Sequence, residues 1–319
     1  MQYRRLGDAG MKVSTVSLGG WINYGEGKVA SGTARQIIMT AYEQGINFFD
    51  LADVYGNGGA ETHMGKLLAQ FPRHTVVIST KVFGQMSEDI NDRGLSRKHI
   101  LESIDKSLAR LGTDYVDIYF CHRPDPETPV IETARAMHTL IEQGKVLYWG
   151  TSEWRAAQLS EVYGICERHN LHPPKAEQPQ YSLLYRNNVE QKILPVSEKR
   201  GIGLVVWSPL AMGMLTGKYD AGIPEDTRFE REPWAKERYM NDATVEKVRQ
   251  LKPIAEELGI SRAQLALAWV LRKPGVSSVI TGATRPEQVV DNAAAADVEL
   301  AEEHITRIDA IFEGDAVKR

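Results

Sequence analysis

Phe48-Phe49-Asp50-Leu51-Ala52-Asp53-Val54-Tyr55-Gly56 is the stretch from which the rest of the chain can be read. Its apolar start reads as a buried strand, and it turns polar, with two carboxylates and a phenol, where that strand should end. Gly56, Gly58 and Gly59 then mark a loop. Where strands alternate with helices in a closed sheet, chemistry collects at the C-terminal strand ends. Asp50 is therefore expected as the last residue of a strand, with Tyr55 turned back over the same mouth. Alone, the stretch is equally an acidic strand-to-helix turn with a surface tyrosine.

Working outward, residues 3–17 read as a hairpin with Asp8-Ala9-Gly10 at its turn. Val13, Val16 and Leu18 begin the next strand, which closes on Gly19-Gly20-Trp21. A helix from about residue 33 carries Ile37, Ile38, Ala41 and Tyr42 on one face, with Gly45 at its C-terminal cap. After the opening stretch comes a helix over 61–70, then a strand over 76–80 that ends on Lys81. Ser96 caps a helix with Ile100, Ile104, Leu108 and Leu111 at helical spacing. The strand 116–120 closes on Cys121-His122, and Thr128-Pro129 starts a helix with proline at its first position, ended by Gly144. Strand 146–150 ends on Thr151-Ser152, a helix spans 155–168, and a weak strand 175–177 ends at Gln178. Residues 189–199 read as helix and 203–207 as a strand ending at Ser208-Pro209-Leu210. The last strand, 278–281, ends at Gly282, and helices over 286–295 and 301–312 follow.

Eight strands alternating with helices imply a parallel sheet, and eight is the number that closes. The expected fold is α/β: a single (β/α)8 TIM barrel over residues 1–319, with an N-terminal β-hairpin and an extra C-terminal helix. One connection, 208–244, is unusually long and rich in glycine and proline, which marks a lid, a binding loop or a disordered insertion.

Composition narrows the function. A net charge of −4 leaves no electrostatic footprint for nucleic acid, and no apolar run approaches the ~20 residues that span a bilayer. The N-terminus shows no secretory core, and two cysteines, Cys121 and Cys166, suit a reducing cytoplasm. No nucleic-acid or membrane partner is expected, and a homo-oligomer is left open.

The polar strand ends form a set: Asp50 and Tyr55, then Lys81, then His122. Singly, Lys81 is a solvated loop lysine and His122 a structural histidine. Four such groups at successive C-terminal ends are hard to explain as surface polarity. Their order resembles the tetrad of the aldo-keto reductases, and the resemblance runs along nearly the whole chain. Leu18-Gly19-Gly20-Trp21, the opening stretch, Leu108 to Asp117, Gly150-Thr151-Ser152, Glu177-Gln178, Trp207-Ser208-Pro209-Leu210 and Gly282-Ala283-Thr284 all carry it. Arg123-Pro124-Asp125-Pro126 and Val276-Ser277-Ser278-Val279 are similar in wording to the branch containing the potassium-channel β-subunits. Those subunits bear asparagine where His122 stands, whereas catalytic members mostly bear histidine.

The resemblance implies an NADP-dependent reductase of small aldehydes or ketones, with catalytic Asp50, Tyr55, Lys81 and His122. A carbonyl needs a hydride at carbon and a proton at oxygen. Tyr55 supplies the proton, Lys81 is expected to lower its pKa, Asp50 keeps Lys81 charged, and His122 orients the carbonyl oxygen. No metal is expected, because no histidine–cysteine cluster has ligand spacing. The resemblance also implies that Ser152 and Gln178 hold the NADP(H) carboxamide, that Trp207 stacks on the nicotinamide and that Trp21 lines the mouth. Ser208, Leu210 and Gly213 would meet the pyrophosphate, and Gly20, Asp50, Pro209, Gly282, Thr284, Gln288 and Asn292 join the cofactor side. Arg285, at a helix start, or Lys218 and Arg228 from the long loop would clamp a 2′-phosphate; a solvated Arg285 is the plain alternative.

Other readings compete. One is a nucleotide-sensing subunit that binds cofactor with slow turnover; His122 and the lack of a long segment before the barrel weigh against it. Another is a barrel hydrolase using Asp50 and Asp53, without the metal ligands or distant carboxylate it would need. Cys121 reads as a small buried hydrophobe rather than a nucleophile. Trp154, Trp234 and Tyr24 line the substrate pocket or simply pack.

Overall fold

Alternation with period two organises the sheet, and it does so in a computed structural model that describes residues 1–21 and 29–314. The N-terminal strands are β1 (Tyr3–Arg5), β2 (Lys12–Ser14) and β3 (Val16–Gly19), followed by α1 (Ser31–Glu43), β4 (Phe48–Asp50), α2 (Gly59–Leu68), β5 (Val77–Val82) and α3 (Arg97–Leu111). Next come β6 (Val116–Cys121), α4 (Val130–Glu142), β7 (Val146–Ser152), α5 (Ala156–His169) and β8 (Ala176–Gln178). A π-helical turn, Val189–Ile193, runs into α6 (Leu194–Arg200), and β9 (Gly203–Val206) follows. After a 3-10 turn, Ala211–Thr216, lie α7 (Arg228–Arg231), α8 (Pro233–Tyr239), α9 (Asp242–Arg249), α10 (Leu251–Glu257) and α11 (Arg262–Leu271). The chain closes with β10 (Val276–Thr281), α12 (Pro286–Ala294) and α13 (Glu302–Ile311). Strands β3 to β10 form a closed parallel barrel in chain order, with β10 pairing β3, and β1–β2 is a separate antiparallel hairpin. This is the (β/α)8 architecture, hairpin and extra helix included, that the sequence implies.

One phase of each strand faces inward. Phe48, Val77, Ile118, Phe120, Ala176 and Val205 form a buried cluster inside the barrel. Leu6, Ala9 and Val13 of the hairpin join it, so the hairpin closes the N-terminal end of the barrel. Close backbone contact fixes this plug. The Asp8 N–H donates to the Gly201 carbonyl at 2.9 Å, and a Cβ on Gly203 would sit 2.4 Å from the Gly7 nitrogen. The opposite phase, with Phe49, Ile78, Tyr119 and Trp149, packs against helix residues such as Ile37, Ile38, Ile100 and Ile104. Each large apolar side chain so buried contributes about 1.5–3 kcal/mol before entropy is counted.

Several boundaries differ from the sequence reading. Pro129 is the N-cap of α4, not its first residue, and α2 begins at Gly59. Residues 189–199 open as π-helix. The connection 208–244 is not structureless, since it holds the 3-10 turn, α7, α8 and the start of α9. Helices α10 and α11 add to the expected elements. A signal for α11 is its capping box, in which the Ser261 side chain accepts from Gln264 N and the Gln264 side chain from Ser261 N. Among the described residues no helix is long and apolar enough to cross a membrane.

Candidate active site

Above the apolar floor the inward phase turns polar. Asp50 is two residues beyond Phe48, Lys81 four beyond Val77, His122 two beyond Phe120 and Gln178 two beyond Ala176. Period two therefore aims all of them into the C-terminal mouth. Lys81 is fully buried, and its ammonium donates to Asp50 Oδ2 at 2.6 Å, to the Leu51 carbonyl at 2.5 Å and to the Tyr55 hydroxyl at 3.2 Å. All three of its N–H donors are used. The other Asp50 oxygen, Oδ1, accepts from Ser79 Oγ at 2.6 Å and Gln178 Nε2 at 3.0 Å. Positive φ at Gly56, Asn57 and Gly58 turns the chain sharply after Tyr55. The His122 ring meets the Tyr55 ring edge-on, centroids 5.7 Å apart.

Burial works against charge on each of these groups. It pushes the Tyr55 phenol up; Lys81 pulls the other way and loses. The net direction corrects the sequence expectation of a lowered phenol, and it leaves Tyr55 protonated at neutral pH, the state a proton donor needs. Burial alone would lower Lys81, but Asp50 and then Tyr55 outweigh it and hold the ammonium charged. His122 is held well below the ordinary histidine value by burial, and then by Lys81 and Arg123. It is a neutral imidazole near pH 7, able to donate one hydrogen bond.

Arg123 is a site residue that the sequence reading did not single out. Its Nη1 donates to the His122 carbonyl at 2.5 Å and lies 3.4 Å from Ser152 Oγ, tying the ends of β6 and β7 together. An arginine directly after a strand-end histidine was the available signal. Asp53 does not join Asp50. It is fully buried on the outer side, against Ser103 of α3 at 3.2 Å, which removes the paired-carboxylate hydrolase. Cys121 is fully buried on the outward phase, with its thiol pushed up by burial, as a small hydrophobe should be.

The cofactor-side candidates follow the rim. Ser152 Oγ donates to the Gln178 carbonyl at 2.9 Å. The Trp207 indole donates to Glu153 Oε1 at 2.8 Å, which fixes its half-buried ring beyond β9. Glu153 adopts φ +62° and also accepts from Gln180 N at 2.7 Å. Ser208 and Gly213 are in left-handed conformation, flanking Pro209 and Leu210. A Cβ on Gly213 would lie 2.7 Å from Lys218 Nζ, and one on Gly20 2.4 Å from Leu51 Cδ2. Lys218 is lowered by desolvation and then by Arg228 and Arg285, so the three cations share one field. Glu232 acts on Arg228 in the opposite sense, and the excess of positive charge that remains suits a polyanion. Arg285 itself is largely exposed, 4.0 Å from Glu287. Thr284 N donates to Gln288 Oε1 at 2.8 Å, Gly282 is exposed and Asn292 is buried. Trp21, just beyond β3, lies 6.0 Å from Trp234 and 5.7 Å from the Arg228 guanidinium, so it meets the long connection that follows β9. Trp154 does not line the opening: it is 3% exposed and packs in the core. Tyr24 lies outside the described residues.

The aldo/keto reductase family model matches residues 15–313. A probable voltage-gated potassium channel subunit beta of Arabidopsis thaliana is 49% identical over 303 residues, 93% of this chain and 92% of that protein. One of Oryza sativa subsp. japonica, named in the same words, is 47% identical over 98% of this chain and 97% of its own length. A putative subunit of the same name from Schizosaccharomyces pombe is 44% identical over 97% and 93%. With its barrel, its strand-end quartet and a family model spanning nearly its whole length, the chain belongs to the aldo/keto reductase family, whose oxidoreductases generally bind NAD(P)H.

Proposed function

We propose that the protein is an NADPH-dependent reductase of small aldehydes or ketones, with Tyr55 as the general acid. The observation that carries this reading is the chain of contacts from Tyr55 OH to Lys81 at 3.2 Å and on to Asp50 at 2.6 Å. A bound reduced nicotinamide supplies the hydride. Neutral His122 donates to the carbonyl oxygen and fixes its orientation beside the phenol. Tyr55, protonated, then gives its proton to that oxygen as negative charge grows there. The ammonium of Lys81 stabilises the phenolate left behind, and Asp50 holds the ammonium in place. Ser152 and Gln178 would take the carboxamide, Trp207 the ring face, and Lys218, Arg228 and Arg285 the phosphates, including a 2′-phosphate.

A second reading rests on the names of the relatives. All three are called potassium channel β-subunits, which favours a cofactor-binding regulatory protein with slow turnover. Steady-state oxidation of NADPH with 4-nitrobenzaldehyde separates the two. The reductase reading expects turnover that Tyr55→Phe abolishes while cofactor binding persists. Tight NADPH binding with no turnover by the wild-type chain would overturn it in favour of the sensor.

A further inference from the structure

We propose that His138, Glu142 and His172 form a site for one divalent transition-metal ion, zinc being the reference case, on the outer surface of the barrel. His138 and Glu142 stand one turn apart on α4, so both project from one face. His172 comes from the connection between α5 and β8. One ligand atom from each lies within 4.8 Å of the others. Tetrahedral zinc with bonds of about 2.0 Å places its ligand atoms roughly 3.3 Å apart, so closure needs only small side-chain rotations. His172 Nε2 already sits 2.9 Å from Glu142 Oε1, and the two imidazole centroids are 5.0 Å apart. His138 Nδ1 accepts from the His172 backbone N–H at a long 3.3 Å, a weak contact to give up.

The loop is held ready. The His172 carbonyl accepts from the buried Trp149 indole at 2.8 Å, which anchors the backbone next to the third ligand. Two imidazoles and one carboxylate favour zinc, cobalt, nickel or copper over magnesium or calcium, whose preferred ligands are oxygens. The side chains of His172 and Glu142 are 47% and 62% exposed, which leaves room for water as a fourth ligand. In chain order the site precedes the N-terminal ends of β7 and β8, so it lies at the barrel end opposite the mouth. Its effect is therefore a brace between α4 and the α5–β8 connection rather than chemistry.

The test uses the full chain, stripped with chelator, titrated with ZnCl2 by calorimetry and with CoCl2 by visible absorption. The wild type should bind one zinc ion, give a tetrahedral or five-coordinate cobalt spectrum, and gain about 3–5 °C in Tm at a hundred times the Kd. His138→Ala/His172→Ala and the milder His172→Asn should each lose at least tenfold in zinc affinity and most of the Tm gain. MgCl2 should give no heat. Unchanged zinc affinity in the folded double variant, or no stoichiometric binding by the wild type, would overturn the site.

Discussion

Replacing Lys81 by methionine keeps the length of the stem and removes only the ammonium. The ion pair it breaks is fully buried, with side chains 0% and 3% exposed and 2.6 Å between Nζ and Oδ2. Asp50 would keep Ser79 and Gln178 as donors but lose its counter-charge. Breaking one side of a buried pair costs about 3–5 kcal/mol, because the remaining charge stays desolvated. In a chain of this length that lowers Tm by about 4–8 °C. Asp50→Asn in the Lys81→Met background removes the orphaned charge, so the double variant should recover a substantial part of the loss. Turnover should fall about 100-fold or more in either, since the Tyr55 phenolate loses its stabilising cation. Calorimetric unfolding of the wild type, Lys81→Met, Asp50→Asn and the double variant, with steady-state rates beside it, checks the cycle. A Lys81→Met protein as stable as wild type, or a double variant less stable than it, would refute the buried-charge reasoning.

Glu177 offers a pH test. Burial pushes its carboxyl, fully buried beside Thr151, up to about 8 from an ordinary 4.5. The folded chain therefore favours the neutral acid; the stabilisation is complete below about 4.5 and is lost as pH rises through about 8. Glu177→Gln cannot lose it, so the variant's Tm relative to wild type should rise from pH 5 to pH 8; a constant difference would contradict the assignment. Lys218→Ala should weaken NADPH by about tenfold or more while leaving NADH nearly unchanged, as equilibrium titration would show. Equal loss for both cofactors would remove Lys218 from the 2′-phosphate.

Much of the site was legible because strand alternation is a local rule. Phe48-Phe49-Asp50 declares its own phase, and so do Lys81 and Gln178 at the ends of apolar runs. Helix α11 escapes that logic: buried residues cover nearly all its faces, so no single stripe repeats. Trp154 reads as a rim residue until Glu153 is seen at φ +62°, which turns the following side chain inward. The Tyr55 proton balance depends on burial set against a 3.2 Å contact, and letters carry neither quantity. His138 and His172 lie on separate elements, so no spacing rule pairs them.

The hairpin under the barrel has a consequence for traffic. With Leu6, Ala9 and Val13 wedged beneath Phe48, Ile118 and Phe120, the structure is a cup with a dry base rather than a tube. Among the described residues, the open end of the cup is overhung by Trp21, Trp234 and Arg228. On the proposed reading, carbonyl compound and alcohol would both pass beneath that overhang, so loading and unloading of the cup would compete for the same space.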